Sequence, residues 1–196
     1  KKMSTDTNIE EIEKIIFEQP LNERCRLLLR ISHLFEKYDY HIQKKNLWDS
    51  RAALGTLLDI TKILIRSDIK IDLLKEIERY TSFLSRMVNF PDIDHEKLSD
   101  TLDILKKCQS SLINIEGPLG SNLRKDELLN NFLQRKDIPG GDFDFDLPLL
   151  HLWLNKTHDD RLIQFNYWRK EIEPVYSSVS ILLDLIRNST KREKCE

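Results

Sequence analysis

Apolar positions recur along most of this chain at intervals of three and four residues, the pattern of helices that bury one face. Leu21, Cys25, Leu28, Ser32 and Phe35 share one side of a helix predicted over about Leu21–Tyr38. A second helix from near Trp48 carries Leu54, Leu57, Leu58, Thr61 and Ile65. A third from near Ile71 carries Leu73, Ile77, Tyr80, Leu84 and Met87. Pro91 ends the third, and Asp94 can cap a fourth with Leu98, Leu102, Leu105 and Leu112 in register. Gly117-Pro118-Leu119-Gly120 reads as a turn before a short helix at about Ser121–Gln134. The last helical region, about Asp159–Asn188, puts Val175, Val179, Leu182, Leu183 and Ile186 on one face. Pro174 inside it predicts a kink or a break.

Two segments leave that period. Lys14–Glu18 is a short apolar run closed by Gln19-Pro20, and it reads as a strand because the proline disfavours helix at Gln19. Asp142–Asp146 alternates aspartate with phenylalanine after the turn signal Ile138-Pro139-Gly140-Gly141. That period of two predicts a second short strand with Phe143 and Phe145 on one face. Asp146 is then placed to cap a helix beginning at Leu147-Pro148. The expected fold is mainly α, a helical bundle with a small β appendage near residues 14–18 and 142–146. One helical domain is expected over residues 14–190, with a loose polar segment at 1–13 and a charged tail at 191–196. The apolar stripes are broad enough for one of them to serve dimerisation.

Composition narrows the function classes. With 196 residues the chain fits one domain, and five glycines argue against an all-β fold. A formal net charge of −2 disfavours sequence-independent binding to DNA or RNA. No apolar run approaches the roughly 18 residues of a membrane span, and the acidic N-terminal stretch lacks the apolar region of a signal peptide. Cys25, Cys108 and Cys195 are odd in number with no C-x-x-C pair, so they read as reduced thiols of a cytosolic protein.

Asp142, Asp144 and Asp146 have the D-x-D-x-D spacing of a calcium loop. Such a loop needs glycine at the sixth position and glutamate at the twelfth, where this chain has Leu147 and Trp153. Asp144, Asp146 and His151 make a metal-dependent hydrolase the alternative reading, although no H-E-x-x-H, Gly-x-Ser-x-Gly or P-loop motif accompanies them. The expectation is no catalytic residue, no metal and no cofactor. The basic residues point elsewhere. Arg26 and Arg30 stand at i and i+4 with His33 at i+7, and Arg66 and Lys70 repeat the spacing just before the third helix. Arg124 opens another helix, where positive charge opposes the dipole. Like charges at helical spacing cost a few tenths of a kcal/mol, which a partner carboxylate would offset.

Four motifs occur in a fixed order: FEQPLNERCRLLLR (Phe17–Arg30), DLLKEIER (Asp72–Arg79), IPGGDFDFDLPLLHLWL (from Ile138) and LLDLIR (Leu182–Arg187). Together they resemble the ZapD family of bacterial division proteins, over about Ile16 to Ser189. The resemblance implies a non-enzymatic, cytoplasmic homodimer at the midcell division ring. Such a dimer binds the C-terminal tail of the division GTPase FtsZ and bundles its protofilaments. It has a helical domain and a small β-rich one. The family's basic positions fall on Arg26, Arg30 and Arg66, and its histidine on His151; Lys70 and Arg124 extend the set by charge and expected proximity. The family continues beyond LLDLIR with further β-strands, which are expected to be absent here because the chain stops at Glu196. A helical adaptor for another partner is the remaining alternative.

Overall fold

Five of the eight helices among the described residues start where the sequence supplies a side-chain acceptor for the orphan N–H groups of a first turn. In the computed structural model, which describes residues 17–65, 68–91, 93–141 and 143–189, eight helices are found. They are α1 (Glu23–Ile42), α2 (Leu47–Leu64), α3 (Ile69–Met87), α4 (His95–Ile113), α5 (Ser121–Lys125), α6 (Glu127–Arg135), α7 (Pro148–Leu154) and α8 (His158–Asn188). Asn22 caps α1 through Cys25, Asn46 caps α2 through Trp48 and Asp94 caps α4 through Lys97. Asp126 caps α6 through Leu129, so the single short helix expected after Ser121 is two pieces. Thr157 caps α8 through the N–H of Asp160.

α8 organises the bundle. It packs on α1, α3, α4 and α5, while α2 lies against α1, α6 and α7. Its first half holds Phe165 and Trp168 in an aromatic cluster with Tyr38 and Trp153. Ring centroids there lie 5.2–5.8 Å apart, mostly edge to face. Such pairs add about 0.5–1.5 kcal/mol each beyond area burial. The buried Tyr38 hydroxyl donates to the Phe165 carbonyl at 2.9 Å, and burial raises its pKa far above the ordinary phenol range. The second half of α8 carries the expected stripe: Val175, Val179, Leu182 and Leu183 are buried and Ile186 is packed against them. Buried Cys108 of α4 faces Ser178, and desolvation pushes its thiol pKa up. Cys25 is half-buried. Cys195 and the segments 1–13 and 191–196 lie outside the described residues.

Three expectations need correction. No strand occurs among the described residues, so the β appendage is not present there. Phe17 and Glu18 are irregular, and residues 14–16 and Asp142 lie outside the description. A lone period-two segment has no ladder to satisfy its backbone. Here turns supply backbone bonds instead: Gly141 N–H donates to the Ile138 carbonyl at 2.9 Å, and Asp146 and Leu147 N–H both donate to the Phe143 carbonyl at 3.0 and 3.1 Å. Phe143 and Phe145 do share a side, stacked with centroids 5.8 Å apart. The glycine pair is required, since Gly140 has φ +72° and a Cβ on Gly141 would lie 2.8 Å from the Ile138 Cβ.

Second, Asp146 does not cap α7. Leu147 occupies that position without a side-chain bond, and Pro148 starts the helix. Third, α8 runs unbroken through Pro174. The roughly 3 kcal/mol cost of an interior proline is smaller than the gain from burying Ile172, Val175 and Val179 on either side of it, at about 1.5–3 kcal/mol each.

Candidate partner-binding surface

The cations singled out by sequence fall at two ends of the bundle. α1 and α2 are joined by a short loop and run antiparallel, with His41 near the end of α1 bonded to Asp49 in the first turn of α2 at 2.8 Å. The start of α1 therefore lies toward the end of α2. Arg26 and Arg30 are exposed there on the outward face of α1. Arg26 pairs with Glu23 at 3.2 Å, while Arg30 has no ion pair among the described residues.

The same end holds a cleft of about 360 Å³, lined by Ile65, Pro118, Ser121, Arg124 and Asn130. Gly120 fits α5 against α2, its Cβ position 3.7 Å from Thr61 and its φ +71°. Arg124 is exposed and takes no ion pair among the described residues. Lys70 sits in the first turn of α3, not before it, and donates to the Ile115 carbonyl at 2.6 Å, in the loop that leads to Pro118. Arg66 lies outside the described residues; Ile65, its neighbour in sequence, lines the cleft.

His151 is at the other end, in α7. Its Nδ1 lies 2.9 Å from Asp144 Oδ2, and both side chains are about half exposed. Arg51, near the start of α2, also bonds Asp144 and lies over the Trp48 ring with its guanidinium carbon 5.7 Å from the centroid. From Arg51 to Ile65 the α2 axis advances about 21 Å at 1.5 Å per residue, so His151 and Arg124 do not share one contact point. Asp146 faces Arg135 at 3.3 Å. The aspartates proposed for hydrolysis thus point at cations, and no group of three His, Cys, Asp or Glu residues converges among the described residues.

Sequence reasoning missed three features here. Arg24 and Arg79 of the α1 and α3 helices converge on Glu76, a carboxylate buried to 5% exposure, with Arg79 at 2.7 and 3.0 Å. The bond to Glu76 raises the Arg79 pKa. Buried Arg161 donates to the carbonyls of Leu154, Lys156 and Lys45 and to Ser50, fixing α7 and the α1–α2 loop beside His151. Lys37, Tyr40 and Lys44 continue the exposed face begun by Arg26 and Arg30. The period that flagged Arg26, Arg30 and His33 also reaches them.

The described residues define a helical protein whose exposed surface combines charged, aromatic and aliphatic side chains. No helix among the described residues is long and apolar enough to cross a membrane. A family model, ZapD cell division protein, matches residues 29–196. Proteins named Cell division protein ZapD are similar to the chain in Nitrosomonas eutropha (37% identity, 89% of this chain and 70% of the relative) and Chromobacterium violaceum (37%, 90% and 70%). A third, from Klebsiella pneumoniae, is 36% identical over 89% of this chain and 70% of its own length. The chain belongs to the ZapD family of cell division proteins.

Proposed function

We propose that this chain is a non-enzymatic division factor that forms a homodimer, binds the acidic C-terminal tail of FtsZ and crosslinks FtsZ protofilaments at the midcell ring of the cytoplasm. The observation that carries the reading is the exposed pair Arg30 and Arg124, guanidinium groups with no internal carboxylate among the described residues, in a member of a division family. Arginine's planar fork pairs with carboxylates of a flexible peptide, and two copies of a weak site on one rigid body give avid bridging. Arg26, Arg66, Lys70 and His151 complete the proposed set. Lys70 acts in it by holding the loop beside Arg124.

The test is sedimentation of GTP-polymerised FtsZ with this chain, using intact FtsZ and FtsZ without its tail. Co-pelleting and bundling that require the tail are expected. Failure to co-pellet with intact filaments, or equal pelleting with both forms, removes the tail as the ligand.

A further inference from the structure

Resting on the peptide-binding reading above, we propose that the outward face of α1 is a docking rail for an extended acidic peptide, continuing past Arg26 and Arg30 through Lys37 and Lys44. Arg26, Arg30, His33, Lys37, Tyr40 and Lys44 recur at intervals of four, three, four, three and four residues, and all six are exposed. The order is that of a single helical face. Lys44 follows the helix end and folds back along it, its ammonium 4.7 Å from the Tyr40 ring centroid. Tyr40 in turn sits edge-on against His41, which fixes an exposed aromatic surface within the cationic row.

The acids nearby lie at the edges: Glu23 pairs with Arg26, and Glu36 is 3.9 Å from His33. Arg30 and Lys37 have no ion pair among the described residues. One like-charged pair, Arg26/Arg30, stands at i and i+4, a spacing unfavourable to the isolated helix. An external row of carboxylates reverses that cost. The length of the row, rather than its repeat, suits a short extended peptide. Cations on this face are about 4.5–6 Å apart along the axis. Alternate side chains of an extended peptide are about 7 Å apart on one side. Arg26 to Tyr40 covers about 21 Å, the length of about six extended residues. A membrane surface fits less well, because the face offers Tyr40 and no apolar row to insert. Nucleic acid fits less well on a chain of net charge −2.

The test uses a labelled peptide alternating Glu and Ser, about twelve residues long to overhang the row, in fluorescence anisotropy at low salt. The full chain is compared with the double variant Lys37→Glu/Lys44→Glu. The control Lys107→Glu/Lys170→Glu makes the same charge change at exposed positions on α4 and α8. Thermal melts check that the variants remain folded. Binding weakened about tenfold in the first variant and less than about twofold in the control is expected. Equal loss in both, or no peptide binding by the unaltered chain, overturns the rail. So does binding to phosphatidylserine vesicles or single-stranded RNA with no binding to the peptide. The FtsZ sedimentation run beside it stands apart: its failure removes FtsZ as partner while the anisotropy result still decides the rail.

Discussion

The two ends of this bundle carry similar cations in opposite circumstances. Where α2 ends, Arg30 and Arg124 face solvent without a carboxylate partner among the described residues. Where α2 begins, Arg51 and His151 share Asp144, and Arg135 faces Asp146. The first end has charge available to a partner; the second has most of its charge committed internally. Counting basic residues therefore does not locate a binding surface, because the chain's own acids set how much of each charge remains.

The largest effect that bears on the contrast is structural. Arg161 holds the second end together by four hydrogen bonds from a buried guanidinium. Arg161→Met leaves three carbonyls without their donor and is expected to cost about 3 kcal/mol in urea unfolding. A loss under about 1 kcal/mol would mean that α7 and the α1–α2 loop do not depend on it. Next comes Arg30→Glu at the open end. It is expected to abolish tail-dependent co-sedimentation with FtsZ while the melting temperature moves by no more than about 2 °C. Unchanged pelleting would take Arg30 out of the surface.

Asp144→Asn sharpens the comparison from the closed end. It removes the carboxylate shared by Arg51 and His151, and stability falls by less than about 1 kcal/mol because the pair is half exposed. If His151 belongs to the tail site, binding tightens about two- to threefold in the same sedimentation assay. Weaker or unchanged binding would assign His151 a structural role alone. The smallest effect concerns Asp137. Its carboxyl is held below the usual carboxylate range by the hydrogen bond and charge of Lys62. Its contribution is complete above the unfolded pKa and is lost as pH falls through the lower folded one. Asp137→Asn is thus slightly less stable at neutral pH and indistinguishable at strongly acidic pH, in paired urea titrations; an equal deficit at both would exclude the ion pair as the cause.

Much of the fold was legible because helical burial is a local pattern. Leu73 and Ile77, or Val175, Val179 and Leu182, announce their faces by spacing alone, and Asp94 announces its cap. The Asp142–Asp146 alternation misled for a physical reason. Period two requires only that two rings share a side, and Phe143 and Phe145 do so within turns, whereas a strand needs a partner that local sequence does not display. Pro174 misled because its local penalty is outweighed by burial that only the tertiary fold reveals. For the proposed surface, sequence singled out Arg26 and Arg30 by their spacing, and both are exposed. It could not say that Lys70 would bond to Ile115 or that His151 would meet Asp144, since those partners come from other elements.

The central position of α8 also has a consequence in time. Phe165, Trp168, Ile172, Val175, Val179 and Leu182 all come from this last helix, yet they fill the core against α1 and its neighbours, which are made first. While the ribosome adds the 31 residues of α8, Phe35 and Tyr38 lack the partners that cover them. At about 5–20 residues per second that interval lasts about 2–6 s. The nascent chain therefore holds the apolar face of α1 without its α8 partners until that helix is made, an interval set by the order of its helices.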